Sequence, residues 1–140
     1  MSVLQNAIIE IQKQIRTLPG IRSAPDSPTP RVDAYPFVVT YLGEGQWSEE
    51  PAGMKTGLHV LIVELHVVTK DQPRDVTTAM EYAESLPNLL FKRLDIDSWA
   101  GTVQTVEAIS YTFGALGWGD VDTLGFRFRI RGVKVQSAIT

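Results

Sequence analysis

The chain has 140 residues, 44% of them hydrophobic, no cysteine, and a formal net charge of −3. That length supports one domain with one sizeable core, and the lack of cysteine excludes disulfides, thiolate metal sites and cysteine catalysis. An acidic balance, with a pI near 5.3, argues against nucleic acid as the main partner.

The first residues, MSVLQNAIIEIQ, have no basic leader and carry Glu10 and Lys13 inside an apolar pattern, which is the reading of a folded helix and not of a signal peptide. Leu4, Ile8, Ile11, Ile15 and Leu18 recur at helical spacing and form one stripe, with Gln5, Glu10, Gln12, Lys13, Gln14 and Arg16 elsewhere. The spacing predicts a helix over about 3–18, ended by Pro19-Gly20. Residues 21–34 hold Pro25, Pro28 and Pro30 and read as an irregular connector.

Residues 35–42 (YPFVVTYL) are β-branched and aromatic, the composition of a strand, with Pro36 at its start or at a sheet edge. Residues 43–53 (GEGQWSEEPAG) are polar, acidic and glycine-rich and read as a loop around Trp47. The run 56–69 carries the strongest strand signal, and at about 3.3 Å per residue it would reach roughly 45 Å. Either Gly57 bends it, or part of it projects as a hairpin arm tipped by the 43–53 loop. The stretch 58–68 is the longest apolar run. His59, Glu64 and His66 interrupt it, and it is too short to cross a bilayer, so a soluble, cytoplasmic protein is expected.

Lys70-Asp71-Gln72-Pro73 closes the strand, and Asp75 can cap a helix over about 75–93. Its core face would be Val76, Ala79, Met80, Ala83, Leu86 and Leu90, with Pro87 kinking or splitting it. Residues 94–101 read as a connector with Trp99 in the core, and 102–113 as a strand. Residues 114–122 read as a turn holding Trp118. Residues 123–135 alternate most cleanly: Leu124, Phe126, Phe128 and Ile130 on one face, Arg127, Arg129 and Arg131 on the other. The expected architecture is thus a single α+β domain in the order α-β-β-α-β-β. Its sheet would be four-stranded and mostly antiparallel, with helices packed against it and a long β-hairpin arm over 35–69.

No motif for catalysis or cofactor binding emerges. His66 and Glu64 share a face while His59 lies opposite, too few ligands for a metal. The pairs Asp95/Asp97 and Asp120/Asp122 fall in loops, where aspartate bonds local amides. GALGWGD is not followed by the residues of a phosphate loop, and no GxSxG is present. No catalytic, cofactor or metal residue is therefore expected, and the chain does not read as an enzyme. The arginine ladder is open to three readings: a solvated face paired with Glu107 or Glu64, a surface for an acidic partner, or DNA passing nearby. Trp47 and Trp118, in glycine-flanked polar segments, fit an interface as well as local packing.

In this order of elements the chain resembles the tail terminator (tail completion) proteins of long-tailed bacteriophages and their small neck relatives. The resemblance covers roughly residues 3–135. It rests on the helix ending in Leu18-Pro19-Gly20-Ile21, the run Tyr35-Pro36-Phe37-Val38-Val39, the long strand 58–68, the helix around 79–94 and the closing strand pair. It implies a structural virion protein that forms a hexameric ring and is assembled in the host cytoplasm. Its ring would cap the tail tube, joining the tail-tube protein to head–tail connector proteins, with DNA at most passing through and no membrane partner. It implies further that Glu44, Glu49 and Glu50 of the 43–53 segment, with Trp47, Trp118, Arg127, Arg129 and Arg131, meet neighbouring subunits or the tube. A head–tail connector is the alternative within that class. A small ligand-binding or enzymatic domain is the alternative outside it.

Overall fold

The computed structural model describes residues 2–28, 34–69 and 76–140. Its elements are α1 (Val3–Ile15), β1 (Phe37–Glu50), a short 3-10 turn (Pro51–Gly53), β2 (Met54–Thr69), α2 (Val76–Ala79), α3 (Tyr82–Gly101), β3 (Val103–Thr105), β4 (Ala108–Trp118) and β5 (Val121–Ala138). The expected Asp75 cap and the 70–73 turn lie outside the described residues, as does Pro30 of the connector.

The sheet has five strands, which corrects the expected four. Its order runs β1-β2-β5, and β3 and β4 lie one after the other along the far side of β5; every strand pair is antiparallel. The cause is a bulge in β5. Gly132 adopts φ +66, and a Cβ there would sit 2.4 Å from Glu107 Cβ. The ladder shifts at that point, so the expected strand 102–113 pairs in two pieces, interrupted at Val106-Glu107. The expected turn 114–122 is likewise mostly strand. Only Gly119-Asp120 turn, with Gly119 at φ +61, the conformation a two-residue hairpin asks of its first residue.

Residues 43–50, expected as a loop, continue β1 after a bulge between Leu42 and Glu44. A polar, glycine-rich segment holds strand geometry here because rings and glycines alternate across the pair. Gly45 faces His59 and Trp47 faces Gly57. A Cβ on Gly45 would lie 2.1 Å from His59 Nδ1, and one on Gly57 would lie 2.2 Å from His59 Nε2. The outer half of β2 also pairs with β5 through His59↔Val133 to Met54↔Ala138, so it is a three-stranded extension and not a free hairpin arm.

Helices cover one face of the sheet. Ala7, Ile11 and Ile15 of α1 and Leu86, Leu90 and Trp99 of α3 pack on Leu61, Val63 and Leu65 of β2 and on Phe126, Phe128 and Ile130 of β5. α1 starts with a capping box: Gln5 N–H donates to Ser2 Oγ (3.1 Å) and Ser2 N–H to Gln5 Oε1 (2.9 Å). It ends at Ile15, short of the expected Leu18, because the chain tightens into turns there. Gln12 is buried despite lying off the apolar stripe. Its Nε2 donates to Pro25 O (2.8 Å) and Val38 O (2.9 Å), while Thr40 donates to its Oε1 (2.6 Å).

The second helical region breaks at Met80-Glu81, ahead of Pro87. Pro87 lies inside α3 in its second turn and removes the N–H that would bond Ala83 O. The break turns Met80 outward, 55% exposed, contrary to its expected core position, whereas Ala79, Leu86 and Leu90 are buried. α3 runs on through the expected 94–101 connector and closes in a left-handed turn, with Ser98, Trp99 and Ala100 at φ +50, +50 and +63. Trp99 is fully buried; its Nε1–H donates to Leu90 O (3.0 Å) and its N–H to Asp97 Oδ1 (2.9 Å). Burying the indole offsets the roughly 1–2 kcal/mol that each left-handed non-glycine residue costs.

Two substitutions separate these terms. Trp99→Ala is expected to lower stability by about 3–5 kcal/mol and Ala100→Gly to raise it by about 1 kcal/mol, both read from urea denaturation midpoints.

Candidate functional site

The face of the sheet away from the helices is built by strand alternation. Phe37, Val39 and Tyr41 of β1, Ile62, Glu64 and His66 of β2, and Thr123, Arg127, Arg129 and Arg131 of β5 share it. Between β5 and the outer edge, β4 contributes Ala108, Ser110 and Thr112, opposite Arg131, Arg129 and Arg127.

At its centre Glu64 is 3% exposed and gathers partners from three strands. Tyr41 OH donates to Glu64 Oε2. Arg127 donates to the same oxygen from Nε (3.3 Å) and Nη2 (3.2 Å). His66 Nε2 lies 3.0 Å from Glu64 Oε1 and, since a carboxylate only accepts, donates to it. His66 Nδ1 lies 2.6 Å from Thr123 Oγ1. Phe37 and Trp118 close over the imidazole, with ring centroids 5.8 and 6.1 Å from it and 6.2 Å from each other.

Burial pushes the Glu64 carboxyl up, but the hydrogen bonds from His66 and Tyr41 and the charges of His66 and Arg127 outweigh it and hold the group below its usual range. Tyr41 is pushed up to about 12 by burial, then by the hydrogen bond and charge of Glu64. The acid–imidazole–hydroxyl order of Glu64, His66 and Thr123 has the form of a catalytic relay. Both His66 and Thr123 are 0% exposed, however, so no substrate reaches the hydroxyl. The array ties strands together.

A second cluster lies on the helix-side face of the sheet's outer half. His59 is 4% exposed, edge-on to Trp47 at 4.7 Å, and its Nε2 has no hydrogen-bond partner. Lys55 Nζ sits 4.6 Å over the Trp47 ring. Burial lowers the His59 pKa, which keeps the imidazole neutral.

The structure distributes the sequence-derived candidates unevenly. Trp47 is 40% exposed in β1, and Glu44, Glu49 and Glu50 are exposed along the same strand. Trp118, expected in a loop, ends β4 and packs on Phe37 and His66. Arg127 meets Glu64, one of the two acidic partners considered for the ladder. Arg129 Nη2 meets Glu44 at 3.7 Å within the same chain. Glu107 forms no ion pair with the ladder among the described residues; its N–H donates to Arg131 O at 2.9 Å. His59 and His66 point to opposite faces, and both are buried. No group of three metal-ligating side chains occurs among the described residues, and no described helix is long and apolar enough to cross a membrane. Sequence reading missed Tyr41 and Thr123. Both sit in runs read as strand, and nothing in the sequence marked either as a partner of the Glu64–His66 pair. No protein-family model matches the chain, and neither does any curated protein.

The shifts fix two acid windows. The fold favours ionised Glu64, so its contribution is full above the unfolded value near 4.5 and is lost as pH falls through the lower folded value. Urea midpoints are expected to drop in that range, and Glu64→Gln to flatten the drop. His59 binds its proton less readily when folded, so stability is also expected to decline as pH falls below its unfolded value of 6.5. His59→Gln removes that earlier decline in the same titration.

Proposed function

We propose that the chain is a structural component of a long-tailed phage virion, a tail terminator that closes into a ring on the end of the tail tube and joins it to the head. The observation that carries this reading is the exposed outer half of β1. Nine consecutive residues, 42–50, are exposed on a strand that, among the described residues, pairs on one side only over that stretch. An uncovered strand edge is a template for another chain, and it carries Trp47, a residue type enriched at interface hot spots. The polar groups at the centre of the sheet are spent on each other, which leaves the edges as the chemically available surface.

Termination is then geometric. A ring seated on the tube end replaces the tube's self-complementary surface with a different one, and growth stops. Heterologous contacts between identical subunits close into a ring when their rotation divides the circle.

One feature favours a ligand-binding reading instead: a half-open groove of about 740 Å³ lined by Tyr35, Pro36, Val67, Val68, Tyr82 and Ser85. Light scattering over a wide concentration range, with negative-stain microscopy of the same sample, separates the two. The ring reading expects a particle about six times the 15.5 kDa chain mass with a central hole. A monomer at every concentration would bring the groove forward. Trp47→Ala is expected to weaken assembly without changing the circular dichroism.

A further inference from the structure

We propose that the ring contact is a single continuous sheet: the outer part of β1, residues 43–50, of one copy pairs antiparallel with the free edge of β4 on the next. This rests on the ring reading and names the surfaces that make it. Among the described residues β4 pairs only with β5, and β1 beyond Phe37 pairs only with β2, so each chain offers one free edge of each kind. Because neighbouring strands alternate in direction across β1-β2-β5-β4, a β1 placed beside β4 in the same orientation is again antiparallel, and each face of the sheet continues as the same face.

Both faces match in that arrangement. On the face away from the helices, β1 carries Glu44, Gln46, Ser48 and Glu50, and β4 carries the small residues Ala108, Ser110 and Thr112 in front of Arg131, Arg129 and Arg127. A neighbour's glutamates would lie two strands from the arginines. The fold itself shows that this span can be bridged, since Arg129 reaches Glu44 from β5 across β2 to β1. Among the described residues Arg131 and Glu50 have no ion pair, which leaves them for the contact. On the helix-side face, Tyr111 (51% exposed) and Phe113 (39%) stand on Phe128 and Phe126, open toward the side where a neighbour's Trp47 would arrive.

Charge selects this pairing over the symmetric ones. β1 against a second β1 sets glutamates beside glutamates, and β4 against β4 brings two arginine ladders together, whereas β1 against β4 joins opposite signs. β4 is level with the inner half of β1, not the outer half, so each neighbour is staggered along the strands. Strands inclined to the ring axis accommodate such a stagger, as shear does in a barrel.

Charge exchange tests the contact. Glu50→Arg and Arg131→Glu are each expected to weaken self-association at least about tenfold, with the circular dichroism unchanged. The double exchange in one chain is expected to restore the wild-type mass. If wild type forms the particle and neither single reversal weakens it, the edge pairing is overturned while the ring survives. Single losses without restoration by the double exchange also overturn it. A wild-type chain that stays monomeric overturns the ring and the pairing together.

Discussion

A carboxylate in the middle of a sheet must either find donors or lose its charge. Glu64 finds them on three strands, and the geometry of the sheet follows from that requirement. Tyr41 fixes β1 beside β2, while Arg127 fixes β5 on the other side. His66, two residues along the same strand, takes the second oxygen and passes the constraint to Thr123 at the start of β5. A slip of one residue in either pairing would turn every one of these groups to the helix side, where Leu61, Val63 and Leu65 face Ile130, Phe128 and Phe126. The charged cluster and the apolar core therefore specify the same register from opposite faces. A buried ion pair contributes little net stability over an apolar alternative, so its value here lies in alignment.

This division of labour explains which parts of the chain were legible in the sequence. The stripe Ile8, Ile11, Ile15 and the alternation of Phe126, Phe128 and Ile130 with three arginines are repeated signals, each residue supporting its neighbours, and they placed α1 and the faces of β5. The outer half of β1 gave no such signal. Gly45 and Gly57 weaken strand propensity and are present to make room for the His59 and Trp47 rings across the pair, a reason visible only once the pairing is known. The same holds at Gly132, whose left-handed backbone breaks one expected strand into β3 and β4. Trp99 was expected in the core, but the path to it, a helix extended to Asp97 and a left-handed turn of non-glycine residues, contradicts local preference and is sustained by burial.

The site was legible in part. Glu64 was named, with Glu107, as a candidate partner of the arginine ladder, and period-2 reasoning set Glu64 and His66 together and apart from His59. It left the tyrosine and threonine unassigned because aromatic and β-branched residues are ordinary in strands. Trp47 and Trp118 looked equivalent, as isolated indoles among glycines. They differ because Trp118 closes over Phe37 and His66 inside the fold, while Trp47 remains on a strand whose far side is open.

The open side poses the usual hazard of an exposed edge strand, that any extended chain can pair with it. Three glutamates along β1 counter this by making the edge repel copies of itself and other acidic chains. The opposite edge is bordered by the other sign: Arg131, Arg129 and Arg127 lie one strand in, behind alanine, serine and threonine, and Arg131 has no ion pair among the described residues. Under the proposed pairing, marking two edges with opposite charge would convert a non-specific liability into an addressed one, with head-to-tail contact as the favourable arrangement. Head-to-tail pairing with a fixed rotation has only two outcomes, a closed ring or an open helix. The twist of the sheet and the stagger between β1 and β4 determine the rotation and rise per subunit. In the proposed ring, the subunit's own geometry, set by the register that Glu64 supports, would therefore decide closure.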